Sequence, residues 1–278
     1  MFSQIQKPLI MGILNVTPDS FSDGGLFSGL QEALIHVERM LEAGVDIIDI
    51  GGESTRPGSD PVSPAEQQNR VIPVITAIRQ QLKSSILISI DTTSSTVAKA
   101  ALDAGANIIN DVSGGQNDPA ILTVAAQANV PIILMHSQGT PKTMQDNPYY
   151  EDVVAEVIDS LKGSIKVALQ AGIKKENIVI DPGIGFGKRK QDNLDLLAHL
   201  DQLVALGFPV LLGTSRKRFM GTICAVSEPA ELVTATAVTT ALGVMAGVQL
   251  FRVHDVKENR QAADVAWAIK QCLKKYED

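Results

Sequence analysis

Eight short apolar runs, separated by longer stretches with helical periodicity, constrain the fold of this chain more than any other feature. The runs occupy residues 9–14, 46–50, 86–90, 107–109, 131–135, 177–180, 209–212 and 249–253. Their starts lie about 34 residues apart on average, close to the combined length of a strand, a crossover helix and their connections. Strands that alternate with helices favour a parallel sheet, and eight such units favour closure of that sheet into a barrel.

Proline and glycine mark the ends of these segments. Pro8, Pro131 and Pro209 stand where strands begin, a position at which a missing backbone N–H is tolerated. An Ala-Gly pair ends three of the predicted helices, because glycine readily adopts the positive φ of a helix C-terminus. The chain has 278 residues, and a (β/α)8 barrel typically has roughly 250. We therefore predict an α/β fold in which residues 1–278 form a single (β/α)8 TIM-barrel domain.

The composition narrows the classes of partner and location. The formal net charge of −7 at pH 7 argues against nucleic acid or a membrane surface as a partner, but leaves room for a local cationic site. Cys224 and Cys272 lie outside any C-x-x-C pattern, so we expect two free thiols in a reducing compartment. We see neither the apolar core of a signal peptide nor an apolar run long enough to span a bilayer. The sequence therefore predicts a cytoplasmic protein that binds small molecules.

Two predicted loops are unusually long. They cover residues 15–28 after the first strand and 51–63 after the second, and both are rich in Gly, Pro, Ser, Thr and Asp. Long loops in compact domains are usually functional, and the loops that follow the strands of a barrel lie at the face that carries active sites. We predict that both loops contribute to a site at that face and are mobile without ligand.

A polar residue lies at the end of every predicted strand. These residues are Asn15, Asp49, Asp91, Asn110 with Asp111, His136, Asp181, Ser215 with Arg216 and Lys217, and Arg252 with His254. Because parallel strands end at the same face, these groups should converge on one mouth. Burying so many polar groups is costly unless they pair with a ligand or with one another.

Three of these residues concentrate positive charge on the last two strands. Lys217, Arg252 and His254 lie where many barrels bind phosphate, and arginine suits bidentate contacts to phosphate oxygens. The alternative is that the cations form structural ion pairs with Asp49, Asp181 or Asp255. We expect one site for a phosphorylated substrate at this mouth.

A glycine-rich segment at residues 181–188 resembles a phosphate-binding loop but does not fit the pattern. Pro182 stands where glycine is required, and Arg189 stands where serine or threonine is required. We interpret the segment as a tight turn that directs Asp181 and Phe186 towards the mouth. The basic run 188–190 is predicted to be a solvent-exposed face.

Motifs along nearly the whole chain resemble, in order, those of the dihydropteroate synthase family. They occupy residues 12–25, 49–58, 110–111, 135–136, 181–187, 215–217 and 252–255. The resemblance implies an enzyme of folate biosynthesis with Mg²⁺ as cofactor. Such an enzyme joins 6-hydroxymethyl-7,8-dihydropterin diphosphate to 4-aminobenzoate, and it releases pyrophosphate and 7,8-dihydropteroate.

The resemblance also implies a role for each motif residue. The pterin diphosphate would contact Thr55, Asp91, Asn110, Asp181, Lys217, Arg252, Val253 and His254. The 4-aminobenzoate would contact Phe21, Arg56, Pro57, Phe186 and Ser215. Asn15 would bind Mg²⁺, and Asp91, Lys217 and Arg252 would assist the chemistry, with Asp91 stabilising a cationic pterin methylene. Asp49 and His136 receive no role.

Two other functions stay open from the residues alone. A related pterin-binding barrel that transfers a methyl group from methyltetrahydrofolate to a corrinoid protein would share Asn110 and Asp181, but would not need the diphosphate cations. A protein that binds pterin without turnover would not need Asn15, Asp91 and Arg252. For the quaternary structure, the resemblance implies a homodimer formed through late outer helices. The apolar segment 230–246 is a candidate surface, although it could equally be buried against the barrel.

Overall fold

The computed structural model describes residues 2, 7–16, 25–54, 59–82, 85–139, 142–144 and 146–274, and a ring of eight parallel strands lies within them. The strands are β1 Leu9–Asn15, β2 Ile47–Gly51, β3 Leu87–Asp91, β4 Ile108–Asp111, β5 Ile132–Met135, β6 Ile178–Asp181, β7 Leu211–Leu212 and β8 Leu250–Val253. The helices are α1 Gly25–Glu42, α2 Pro64–Gln80, α3 Ser95–Asp103, α4 Ala120–Ala128, α5 Val153–Gln170, α6 Lys190–Ala198, α7 Leu200–Val204, α8 Arg218–Cys224, α9 Val233–Ala246 and α10 Val256–Lys274.

Sequential strands are neighbours in the sheet, and β1 also pairs with β8. The ring closes between β6 and the start of β7, where Ile180 and Val210 form a parallel bridge. The predicted barrel is therefore confirmed. The seventh strand is shorter than predicted because the backbone N–H of Val210 donates to the side chain of Gln249 (2.9 Å) and not to a strand.

Inside the barrel, the apolar floor and the polar mouth are successive layers of the same strands. Ile47, Ile108, Val179 and Leu250 belong to a buried cluster that fills the interior. Alternate residues of a strand point to the same face, so the residue two positions further along also points inward. Those residues are Asp49, Asn110, Asp181 and Arg252. The polar groups predicted at strand ends therefore form one interior layer above the apolar floor.

The helices cover the outside of the ring through a larger aliphatic core, in which Val253 is buried. Of the two predicted loops, the second ends as expected, because Ser63 caps α2 by accepting a hydrogen bond from the N–H of Glu66 (3.3 Å). The first is shorter than predicted, since α1 begins at Gly25. Gly and Ser suit loops, but both are tolerated in the first turn of a helix. Residues 17–24 and 55–58 lie outside the described residues, so loop mobility stays a prediction.

None of the helices within the described residues is both long and apolar enough to cross a membrane.

Candidate functional site

Arg252 lies at the centre of the polar layer and pairs with two carboxylates. From β8, its Nε donates to Oδ2 of Asp49 on β2 and its Nη2 donates to Oδ2 of Asp91 on β3, both at 2.6 Å. Asp49 is fully buried and also accepts a hydrogen bond from Nδ2 of Asn110 on β4 (3.1 Å). The network therefore fixes side chains from four strands relative to one another, and it gives Asp49 a clear structural task.

Burial and neighbouring positive charges have opposite effects on the pKa values of Asp91 and Asp181. Burial raises the pKa of Asp91 to about 7, with Arg252 opposing the rise and the carboxylate of Asp49 adding to it. Burial also raises the pKa of Asp181 to about 6, against the hydrogen bond from the backbone N–H of Gly183 and the charge of Lys217. Both carboxyl groups therefore titrate close to neutral pH, as is common at functional sites.

Lys217 lies on the other side of the mouth, against the loop that follows β6. Its Nζ is 4.1 Å from the centroid of the Phe186 ring. A Cβ at Gly185 would lie only 3.0 Å from Cδ of Lys217, so the glycine makes room for the lysine stem. Burial, followed by the charge of Arg252, lowers the pKa of Lys217 to about 8. An aromatic face and a cation thus lie side by side, an arrangement that suits a flat, electron-rich ring.

The loops that follow β7 and β8 are joined by two sets of hydrogen bonds. Oγ of Ser215 lies 2.9 Å from Nδ1 of His254 and accepts from its backbone N–H at 3.1 Å. Arg216, which has a left-handed backbone (φ +57°), donates to both carboxylate oxygens of Asp255 at 2.6 and 3.0 Å. Asp255, which the sequence left open as an ion-pair partner for Lys217, therefore pairs with Arg216, while Lys217 is directed at the mouth.

Asn15 and Asp91 lie on either side of Gly51 at the edge of the mouth, and the missing side chain of the glycine leaves space between them. A Cβ at Gly51 would lie 3.7 Å from Oδ1 of Asn15 and 3.5 Å from Oδ2 of Asp91. Over the part of the chain that the structure describes, no three His, Cys, Asp or Glu side chains form a group able to hold a metal ion. A cation at Asn15 would therefore need oxygens from the substrate and from water.

The structure brings most of the predicted site residues together. Around the mouth lie Asn15, Asp91, Asn110, Asp181, Phe186, Ser215, Lys217, Arg252 and His254. The side chain of Val253 packs into the outer core, so only its backbone could contact a ligand. Phe21, Thr55, Arg56 and Pro57 lie outside the described residues.

Sequence reasoning was wrong about Lys188. It was predicted to be solvent-exposed with its two neighbours, but its side chain is buried, whereas Arg189 and Lys190 are exposed. Its Nζ contacts Nδ1 of His136 at 2.9 Å and donates to the carbonyl oxygens of Gly183 and Phe186. A lysine that directly follows a glycine-rich turn could have signalled this, because such turns leave backbone carbonyls that need donors.

Comparisons with known proteins show which family this sequence matches. The sequence profile of the family described as pterin binding enzyme matches residues 11–254. A dihydropteroate synthase of Bacillus subtilis (strain 168) is 47% identical over 264 residues, which cover 95% of this chain and 89% of the relative.

Solved structures extend the similarity to three dimensions. The dihydropteroate synthase of Clostridium difficile, crystallised in the presence of pteroic acid, has a TM-score of 0.90 and 45% identity, covering 97% of this chain and 99% of that one. The Xanthomonas albilineans enzyme with 4-aminobenzoic acid has a TM-score of 0.88 and 44% identity, covering 96% and 94% of the two chains. This chain therefore belongs to the pterin-binding enzyme family, among its dihydropteroate synthases.

Proposed function

We propose that the protein condenses 6-hydroxymethyl-7,8-dihydropterin diphosphate with 4-aminobenzoate and releases pyrophosphate and 7,8-dihydropteroate. One observation carries the proposal: a single mouth joins carboxylate and amide groups on β3, β4 and β6 to cations that follow β7 and lie on β8. The first set matches the planar edge of a pterin, and the second matches a diphosphate. The membership of the chain among dihydropteroate synthases supports the same reaction.

The pterin is assigned to the side of the mouth next to Asp181. Oδ1 of Asp181 accepts a hydrogen bond from the backbone N–H of Gly183 at 2.7 Å, which leaves Oδ2 for a ligand. A Cβ at Gly213 would lie 3.9 Å from that Oδ2, so the glycine leaves space beside it. The ring N–H groups of an aminopyrimidine would donate to carboxylate oxygens here, while the face of the ring would lie near Phe186 and Lys217.

The diphosphate is assigned to Arg252, Lys217 and His254. Two N–H groups of Arg252 are engaged by Asp49 and Asp91, and its remaining N–H groups can donate to phosphate oxygens. The two carboxylates hold the guanidinium in place, which reduces the entropy lost when the substrate binds. This arrangement also explains why a cation needed for the diphosphate is paired with aspartates before the substrate arrives.

Mg²⁺ is part of the proposal, with Oδ1 of Asn15 as its protein ligand. One amide oxygen suits an ion that usually keeps several waters and takes the rest of its ligands from substrate phosphates. When bound, the ion would neutralise negative charge on the diphosphate and on the departing pyrophosphate.

In the reaction, the bond between the pterin methylene carbon and the diphosphate oxygen breaks, and the electron pair leaves with pyrophosphate. The amine nitrogen of 4-aminobenzoate forms the new bond to the methylene carbon and then loses a proton. Arg252 and Lys217 stabilise the charge of the leaving group, and the ionised carboxylate of Asp91 stabilises positive charge on the methylene. The amine is the nucleophile, so no protein nucleophile is required.

The test is to mix the protein with the pterin diphosphate, 4-aminobenzoate and Mg²⁺, and to measure pyrophosphate and dihydropteroate together. We expect both products in equal amounts, and none when 4-aminobenzoate is replaced by benzoate, which lacks the amine. A protein that binds the pterin diphosphate but forms no dihydropteroate would instead support a binding protein. Transfer of a methyl group from methyltetrahydrofolate would support the corrinoid-linked alternative.

A homodimer through α9 and α10 is also proposed. Helix α9 buries one face against the barrel, where Thr236 and Val244 lie, and its other face carries exposed apolar side chains such as Leu242, which is 61% exposed. On α10, Val265 is 61% exposed, and both exposed residues line a groove of about 680 Å³ between the two helices. A second copy would remove this surface from water.

Introducing a charge on that surface should dissociate the dimer. We expect the parent protein to have twice the chain mass of 29.6 kDa in light scattering, and Leu242→Glu to have the single-chain mass. Val167→Glu is the control, since Val167 is similarly exposed (51%) but lies on α5. A monomeric parent protein, or a dimer that survives Leu242→Glu, would contradict this assignment.

A cytoplasmic location is the last part of the proposal. Its support is chemical, because Cys224 and Cys272 are both exposed and unpaired, as suits a reducing compartment.

A further inference from the structure

The ammonium group of Lys188 is buried beneath the turn that connects β6 to α6. The residue is only 3% exposed, and its Nζ is 3.0 Å from the carbonyl oxygen of Gly183, 3.1 Å from that of Phe186 and 2.9 Å from Nδ1 of His136. A protonated lysine has three N–H groups, so these contacts use all of them. The three contacts therefore match the protonated lysine when His136 carries its proton on Nε2 and Nδ1 accepts.

His136 is suited to accept the third hydrogen bond. Burial, followed by the charge of Lys188, lowers the pKa of His136 to about 3, so the ring is neutral near pH 7. In the tautomer protonated at Nε2, its Nδ1 accepts from the ammonium of Lys188. Its backbone N–H donates to the carbonyl oxygen of Asp181 at 3.0 Å. The ring also lies 6.1 Å from that of Tyr150, whose hydroxyl donates to the carbonyl oxygen of Gly187 at 2.8 Å. Lys188 and His136 therefore join the turn to the end of β5.

The turn lies so close to the segment after β5 that only glycine fits at its two ends. Gly183 and Gly187 have φ values of +66° and +61°. A Cβ at Gly183 would collide with the carbonyl oxygen of His136, and a Cβ at Gly187 would collide with that of Gln138. Glycine permits this path but does not enforce it, because it adopts many other conformations easily. The hydrogen bonds of Lys188 select the one conformation in which Phe186 faces the mouth.

The same ammonium also lies close enough to Asp181 to affect its charge. Burial raises the pKa of Asp181, and the positive charge of Lys188 is one of the effects that lower it. Burial lowers the pKa of Lys188 to about 7, and the negative charge of Asp181 opposes that change. The other charged and hydrogen-bonding groups that act on Asp181 are Lys217, Arg252 and the backbone N–H of Gly183. Those that act on Lys188, besides Asp181 and His136, are Lys217 and Asp192.

We propose that Lys188 is a positioning residue for the pterin site: it fixes the turn 183–187 against β5 and provides a buried positive charge behind Asp181. The inference rests on the proposed function, because its effect is read through the binding of the pterin diphosphate. Lys188 touches neither substrate in this arrangement. It acts through the orientation of Phe186 and the ionisation of Asp181.

The test compares Lys188→Met, which keeps an apolar stem and removes the charge, with Lys190→Met as the matched control. Lys190 is exposed and lies two residues further along the chain. Affinity for the pterin diphosphate would be measured by calorimetry from about pH 5 to about pH 8, the range in which Asp181 ionises. Thermal unfolding would be followed for each variant to confirm that it is folded.

Lys188→Met should bind the pterin diphosphate on the order of 10- to 100-fold more weakly at neutral pH, as expected for loss of a supporting contact. The acid side of its affinity profile should also shift to higher pH, because Asp181 becomes harder to ionise. Lys190→Met should match the parent protein. Equal affinity and an unshifted profile in a folded Lys188→Met would overturn the proposal.

Lys188→Arg provides the second arm and still decides the question if the methionine variant does not fold. Because the positive charge behind Asp181 is kept, the acid side of the profile should stay near that of the parent protein, even if affinity falls because the larger group distorts the turn. A folded Lys188→Arg with a profile shifted to higher pH would contradict the electrostatic role. If the parent protein itself does not bind the pterin diphosphate, the proposed function fails, and not this inference alone.

Discussion

Replacing Arg252 with methionine should lower both catalysis and stability more than any other single change at the mouth. We expect kcat/KM to fall on the order of 1000-fold, because the diphosphate loses a charge-assisted donor that acts on the leaving group. We also expect the free energy of unfolding to fall by about 3–5 kcal/mol, because two buried carboxylates lose their partner. Oδ1 of Asp49 is already buried without a hydrogen-bond partner among the described residues, so this carboxylate depends strongly on Arg252.

A double variant separates the two effects. Adding Asp49→Asn to Arg252→Met removes one unpaired charge and keeps an oxygen for Asn110, so stability should partly recover while activity stays low. Steady-state kinetics and urea unfolding of the single and double variants measure this. If the double variant recovered activity together with stability, Arg252 would contribute only to the stability of the fold.

The stability loss in Arg252→Met should also depend on pH. The folded pKa of Asp91 is raised above its ordinary value of 3.8, so the folded state holds a proton that the unfolded chain has released. Stability from this group therefore falls as the pH rises from about 4 through about 7. Arg252 opposes this rise in pKa, so its removal should raise the folded pKa further and carry the loss of stability on to higher pH. If Arg252→Met lowered the unfolding midpoint by the same amount at about pH 5 and at about pH 9, that result would contradict the assignment.

Asp91→Asn should reduce turnover far more than substrate binding. The amide keeps the shape and can still accept from Arg252, but it cannot offer a negative charge to the cationic methylene. We expect kcat to fall on the order of 100-fold or more, with the Kd of the pterin diphosphate changed by only a few-fold. The parent kcat/KM should rise as the pH increases through about 7, where Asp91 ionises, and this rise should be absent in the variant.

Asp181→Asn is the matched comparison for Asp91→Asn. Asp181 is assigned to the pterin ring and not to the reacting carbon, so its variant should weaken pterin binding more than it lowers kcat. Isothermal titration and steady-state kinetics should therefore show mainly weaker pterin binding for Asp181→Asn and mainly a lower kcat for Asp91→Asn. An unchanged kcat in Asp91→Asn would remove its electrostatic role.

The barrel and the location of its site were predictable because both follow from spacing along the chain. Apolar runs repeated with strand–helix length fix the order of the strands, and parallel strands end at one face. The partners within that face were predictable only as open alternatives: the sequence offered Asp49 as one ion-pair partner for the cations, which the structure confirms for Arg252, but it did not indicate the pair with Asp91. Arg252 is 203 residues from Asp49 and 161 from Asp91, and only the curvature of the closed sheet shows that its side chain reaches them.

The errors have physical causes that single residues illustrate. Lys188 was taken as exposed because charged runs usually face solvent, yet the turn before it presents carbonyl oxygens that bury the ammonium. Asp49 received no catalytic or binding role from the sequence, because it acts by accepting hydrogen bonds from Arg252 and Asn110. A supporting contact of this kind has no recognisable motif. Segment 230–246 left two alternatives open. Burial against the barrel is confirmed for one face of α9, and the dimer surface stays a proposal for the exposed face.

The most direct test is a crystal structure with the pterin diphosphate bound in the absence of 4-aminobenzoate. We expect the pterin ring to lie against Asp181 and Asn110, next to Phe186, with the diphosphate on Arg252 and Lys217 and the methylene carbon facing Asp91. A pterin ring located away from the layer formed by Asp181 and Asn110, or a diphosphate that does not contact Arg252, would contradict it.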